Sequence, residues 1–216
     1  MKLYFVRHGK TEWNLEGRFQ GANGDSPLLE SSIKETEELG RYLKAIPFDA
    51  VYSSDLERAY RTADIIMNEN DSPVQITCSK ALREWDLGNL EGQKISLVCA
   101  IYPKQMEAFR HNLAQFNNSM FEAESVYQAT QRILNFVKSL KDKKEENVLI
   151  VGHGATLTAA IQRLLGFESS QLRRGGGLDN SSLTILETDD FSHFNLLKWN
   201  DTSYQLTETN EPVTVP

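Results

Sequence analysis

Strand-length apolar runs alternate with amphipathic helical stretches along most of this 216-residue chain. That alternation narrows the fold before any single residue is weighed. The runs are KLYFV (2–6), AVYS (50–53), VQIT (74–77) and VLIVG (148–152). Between them, residues 32–46 set Ile33, Leu39, Tyr42, Leu43 and Ile46 near one helical face, and Pro47 follows as a stop. Asp55 is placed to cap a helix over 56–70, and Ser125 one over 126–144. A fourth helix, 155–166, ends at Gly166, a left-handed cap. Strands alternating with helices predict an α/β fold: a three-layer α/β/α sandwich with a mostly parallel central sheet. Two later runs, 181–188 and 193–200, flank the turn-like DDFS and read as an antiparallel pair or edge addition. Residues 90–124 break the alternation and read as two short helices, a short helical lid insertion over a site. The organisation expected is one domain over 1–205, with the lid at about 90–124, and a flexible polar tail over 206–216.

A formal net charge of −7 argues against a general nucleic-acid or membrane-surface binder, which would need a broad basic face. No stretch approaches the roughly 20 apolar residues that cross a bilayer. Cys78 and Cys99 are the only cysteines and do not form a C-x-x-C pair. Reduced thiols in the cytoplasm are the expectation. The sequence leaves monomer and homodimer both open.

Ligands of open α/β sheets sit at the carboxyl ends of the strands. Three such ends carry groups that packing does not call for: RHG after the first run, SSDLERAYRT after the second, and GHG after VLIV. They bring Arg7, His8, Arg58 and His153 toward one rim, two guanidinium groups and two imidazoles in an acidic chain. Such a set makes an anion pocket, because the planar arginine fork matches a phosphate and keeps its charge. A helix opening at Gly154 would add unpaired backbone N–H groups and the positive end of its dipole. Taken one at a time, Arg58 reads equally as a solvated helix residue and His153 as a satisfied histidine at a strand end.

In order, RHGKTEWN with RFQG and DSPL, SSDLERAYRTA, LREWDLGNLEG and VGHG resemble the motifs of the histidine phosphatase superfamily, in its phosphoglycerate mutase-like branch, across residues 3 to about 187. The resemblance implies a phosphohistidine on His8, with Arg7, Arg58 and His153 holding the phosphoryl oxygens and Glu84 as acid and base. Asp86 is the alternative acid. It also implies phosphate contacts from Asn14, Gln20, Gly21 and Gly154, and no metal and no cofactor. Mutases of this branch carry a long basic insertion after the glutamate motif. Here the segment 90–124 is short, with only Lys94, Lys104, Arg110 and His111 as basic residues. A phosphatase acting on a small phosphorylated metabolite is therefore expected, with a phosphoglycerate mutase or a catalytically silent phosphate binder as the alternatives. Lys10 departs from the family pattern and reads as a solvated lysine. QLRRGGGLDN (171–180) departs most, and Arg173 and Arg174 read there as a solvated turn, with a mobile anion-contacting loop as the alternative.

Overall fold

A computed structural model describes residues 1–205. The tail expected over 206–216 lies outside the described residues. In chain order the elements are β1 (Lys2–Arg7), α1 (Glu12–Leu15), α2 (Glu30–Leu43), β2 (Ala50–Ser53), α3 (Glu57–Glu69), β3 (Ile76–Cys78), α4 (Ile95–Ile101), α5 (Pro103–His111), α6 (Val126–Lys138), β4 (Asn147–Gly152), α7 (Gly154–Leu164), β5 (Leu183–Glu187) and β6 (Asn195–Asp201). The six strands form one sheet in the order β3-β2-β4-β1-β5-β6. The first four run parallel, and β5 and β6 add an antiparallel edge.

Alternation along β1 explains the layering. Leu3 and Phe5 face one side, where they pack with Ile133 and Val137 of α6 and Leu157 and Ile161 of α7. Tyr4 and Val6 face the other, against Leu39 and Leu43 of α2 and Ala59, Ala63 and Ile66 of α3. Each such Leu, Ile or Phe contributes about 1.5–3 kcal/mol by leaving water. A third apolar cluster lies under the insertion, where Trp85 meets Met106, Phe109, Leu113, Phe116 and Phe121. The indole of Trp85 is fully buried, and its N–H donates to the Glu124 carbonyl at 2.7 Å. The expected lid is thus α4 and α5 packed on their own aromatic core.

Local signals held unevenly. Ser125 caps α6 in a reciprocal capping box with Gln128, as its position predicts. Gly166 follows α7 with φ +89°, the left-handed region that favours glycine. Asp55 does not cap α3: the N-cap is Leu56, with no side-chain bond, and the Asp55 carboxylate takes a bidentate pair from Arg83 at 2.7 and 2.8 Å. Strand β3 begins two residues later than the apolar run. Among the described residues it pairs only with β2, so a single neighbour sets its register.

Candidate active site

Strand register places the two histidines side by side. Arg7 of β1 lies opposite Gly152 of β4, so each strand delivers its next residue, His8 or His153, to the same edge. The rings sit 5.1 Å apart between centroids, both buried. Strand β2 joins the same end, as Ser54 N–H donates to the Val151 carbonyl, and α3 then carries Arg58 inward. Thr62, one turn along α3, accepts the Gly9 N–H at 3.0 Å and ties the RHG turn to that helix.

The His8 Nδ1 lies 2.7 Å from the Gly9 carbonyl, which accepts its proton and leaves Nε2 as the bare nitrogen. Burial, reinforced by the nearby Arg58 and Arg7, holds the imidazole well below its ordinary value, against the smaller opposing pull of the Gly9 bond. Burial does the same to His153, with Arg58, His8 and Arg7 adding to it. Both rings are therefore neutral at pH 7, and His8 keeps a free lone pair.

Arg58 is almost wholly enclosed. Its Nη1 donates to the Gly24 carbonyl and to Asp25 at 2.8 and 2.9 Å, and its Nη2 to the Gly21 carbonyl at 2.9 Å. The guanidinium thereby fixes the loop 21–25. Arg7 donates through Nη1 to the Leu178 carbonyl, and its pKa is lowered, chiefly by burial. Nε of Arg7, Nε of Arg58 and both ring nitrogens of His153 are buried with no partner among the described residues. Buried polar atoms are normally paired, because an unmade bond costs about 1–3 kcal/mol. The two guanidinium Nε–H groups and the one N–H of the neutral His153 ring are three donors on neighbouring side chains, and they mark a place built for an oxygen-rich anion.

Glu84 is buried, and its carboxylate takes three backbone N–H groups: Trp85 and Thr156 on Oε1 at 2.9 and 2.8 Å, and Ala155 on Oε2 at 2.9 Å. It does not pair with Arg83, which belongs to Asp55. The expectation of an open helix N-terminus is corrected here: Glu84 occupies the first turn of α7, and only the Gly154 N–H remains without a partner among the described residues. A Cβ at Gly154 would lie 2.9 Å from Nε of Arg7, so this position must be glycine for the guanidinium to rest on the helix entrance. Asp86 turns away, its carboxylate accepting from Gly88 N–H and the Asn23 amide.

A small cavity of about 150 Å³ opens beside these residues, with Arg7, Asn14, Gln20, Glu84 and Gly154 in its wall, while His8, Arg58 and His153 are not part of that wall. Asn14 reaches it from α1, its Oδ1 held by Thr11 N–H and Asn180, leaving its amide nitrogen free of protein partners. The Gln20 amide is committed at both ends, accepting from Thr11 and donating to Ser26, so it steadies the loop. At Gly21 the close approach is made by Glu91 and the Trp85 carbonyl, 2.4 and 2.6 Å from where a Cβ would be.

The same wall holds Arg173, Arg18, Phe19 and Phe109, which sequence reasoning did not assign to the site. Arg173 is no solvated turn: Nη1 donates to the Phe109 carbonyl at 2.9 Å, and its guanidinium lies 4.7 Å over the Phe109 ring. Arg174 and Lys10 are exposed. The basic residues of the insertion point elsewhere. Lys94 bonds the Glu16 carbonyl, Arg110 reaches Cys99, and Lys104 and His111 line a separate surface groove. Among the described residues no group of acidic, histidine or cysteine side chains has the spacing of a metal site, and no helix is long and apolar enough to cross a membrane.

The profile of the histidine phosphatase superfamily (branch 1) matches residues 3–202. A 2,3-bisphosphoglycerate-dependent phosphoglycerate mutase of Cytophaga hutchinsonii is 33% identical over 168 residues, covering 75% of this chain and 76% of that one. The adenosylcobalamin/alpha-ribazole phosphatase of Escherichia coli is 28% identical over 178 residues, covering 80% and 83%. Among solved structures, Bacillus stearothermophilus YhfR superposes with a TM-score of 0.84 at 31% identity, covering 94% of this chain and 98% of the other. A two-histidine strand edge, a buried Arg58 beside a half-buried Arg7 and a profile match along nearly the whole described chain lead to one assignment: the protein belongs to branch 1 of the histidine phosphatase superfamily.

Proposed function

We propose that the protein is a metal-independent phosphomonoesterase that hydrolyses small phosphorylated metabolites through a phosphohistidine on His8. The observation that carries the proposal is the set of buried nitrogens without partners on Arg7, Arg58 and His153, grouped around a neutral His8. In the first step the Nε2 lone pair attacks phosphorus and the ester P–O bond breaks. The leaving alkoxide takes a proton from Glu84. In the second, a water loses its proton to Glu84, attacks phosphorus and breaks the P–N bond, releasing phosphate and restoring His8. Nδ1 keeps its proton throughout and donates it in a hydrogen bond to the Gly9 carbonyl. The guanidinium groups and His153 meet the equatorial oxygens, where charge gathers, and each such donor is worth ~3 kcal/mol in barrier.

The relatives' names divide between mutase and phosphatase. The insertion supports the phosphatase: it lends the cavity Ile95 and Phe109, while Lys94, Lys104, Arg110 and His111 are not in its wall. Phosphate release from a panel of phosphorylated metabolites, in excess chelator, tests the reading. His8→Ala should abolish release. Full activity in that variant would refute the nucleophile, loss of activity in chelator would point to a metal, and isomer interconversion that depends on a bisphosphate primer would assign a mutase.

A further inference from the structure

Of the three arginines in the cavity wall, Arg7, Arg18 and Arg173, only Arg18 has a carboxylate partner among the described residues. Arg18 is offset by Glu16 at 2.5 Å and Arg58 by Asp25 at 2.9 Å. Glu84 is engaged by backbone N–H groups. Arg7 and Arg173 share the cavity, and neither has a carboxylate within salt-bridge distance among the described residues. Arg7 answers to the phosphoryl group. Arg173 arrives from a different element, the glycine-rich segment before β5, and is braced against α5 of the lid through Phe109. Its Nε is buried and unpaired. Burial lowers its pKa to about 10, which still leaves it charged at neutral pH. The side chain is half-buried, with Nε enclosed and Glu84 the only negative charge acting on it from nearby, so an anion reaching its free N–H groups would gain a charge-assisted bond. The phosphoryl group already has Arg7, Arg58 and His153, so Arg173 calls for another anion.

We propose that Arg173 binds a second anionic group of the substrate, a carboxylate or a further phosphate, so that the protein selects compact phosphomonoesters carrying two anionic groups. This rests on the phosphatase reading above and adds the substrate class. A cavity of about 150 Å³ keeps the two groups within a few bonds of each other. The planar fork held flat on Phe109 suits either oxyanion and gives Arg173 one fixed orientation.

The test compares matched substrates. Phosphate release gives kcat/KM for phosphoglycolate against ethyl phosphate, and for 1,3-propanediol bisphosphate against propyl phosphate, which separates a carboxylate from a phosphate as the second group. The wild type should favour at least one two-anion member tenfold or more. Arg173→Met, which keeps an unbranched side chain over Phe109, should bring that ratio near one, mainly through KM. Arg173→Lys should retain part of it, and serves also if the methionine variant does not fold. A wild-type ratio near one in both pairs, or a ratio unchanged in both variants, would overturn the proposal. If the wild type releases phosphate from nothing, including p-nitrophenyl phosphate, the phosphatase reading fails separately. Calorimetric titration of His8→Ala with the same four compounds then decides on Arg173: tighter two-anion binding that Arg173→Met removes upholds it, and equal binding overturns it.

Discussion

Replacing Glu84 by glutamine should damage the fold as well as the chemistry, and the size of the damage can be worked from the hydrogen bonds. The carboxylate accepts from Trp85 and Thr156 on one oxygen and from Ala155 on the other. Glutamine offers one oxygen. Its best placement keeps Trp85 and Thr156 and turns the amide NH2 against the Ala155 N–H, leaving a buried donor facing a donor. Losing that bond costs about 1–3 kcal/mol. A loss of about 1–3 kcal/mol in a chain of this length corresponds to a fall in Tm of roughly 2–12 °C. Differential scanning calorimetry should show that fall, and hydrogen exchange should show faster opening of Ala155 and Thr156. Phosphate release, assayed well below the variant's Tm, should drop by roughly 10²–10⁴ for loss of the proton donor. A Tm within about 2 °C of wild type would refute the capping geometry. A larger rate loss in Asp86→Asn than in Glu84→Gln would move the acid to Asp86.

Gly154→Ala puts a methyl 2.9 Å from Nε of Arg7, so affinity for inorganic phosphate, read as a competitive inhibitor, should weaken at least tenfold with a stability loss of about 1–3 kcal/mol; unchanged inhibition would dissociate Arg7 from the anion. His8 and His153 have folded pKa values depressed below the unfolded ~6.5, so the unfolded chain binds more protons in acid and stability falls as pH drops below about 6.5. Urea midpoints between pH 5 and 8 should show this slope, reduced in His153→Gln, and a flat profile would contradict two buried neutral rings. Arg58→Ala removes the bonds to Gly21, Gly24 and Asp25, and should cut turnover by roughly 10²–10³ while making the loop 21–25 a new site of limited proteolysis; a protease-resistant loop would show that other contacts hold it. Ser125→Ala serves as a control remote from the cavity, losing about 1 kcal/mol through its cap with no change in KM.

The sheet and its catalytic edge were legible because the relevant signals are local. Apolar runs 2–6 and 148–152 end on His8 and His153, and parallel pairing of β1 with β4 alone suffices to bring those ends together. The lid helices α4 and α5 were visible as a break in the alternation. What stayed hidden depends on partners distant in sequence. Asp55 sits where a cap would be, but Arg83, 28 positions on, claims its carboxylate. Short α1 is one capped turn, too brief for a periodic pattern. Beside three glycines Arg173 looks like solvent-facing chain, and only Phe109, 64 positions earlier, draws it inward. Glu84 was read as a proton carrier, yet its second office, closing the start of α7, rests on Ala155 and Thr156 more than 70 positions away.

That double office alters which residues testify to activity. A descendant that stopped turning over substrate would still be under pressure to keep Glu84, since the entrance of α7 relies on it. Its retention says little about catalysis. The side chains of Arg7 and His153 differ: among the described residues Nε of the first and the ring N–H of the second have no partner, and a visiting anion is what would satisfy them. Once such a lineage ceased to bind anions, those two positions would be free to drift toward apolar residues, and they are where the loss of function would first be written.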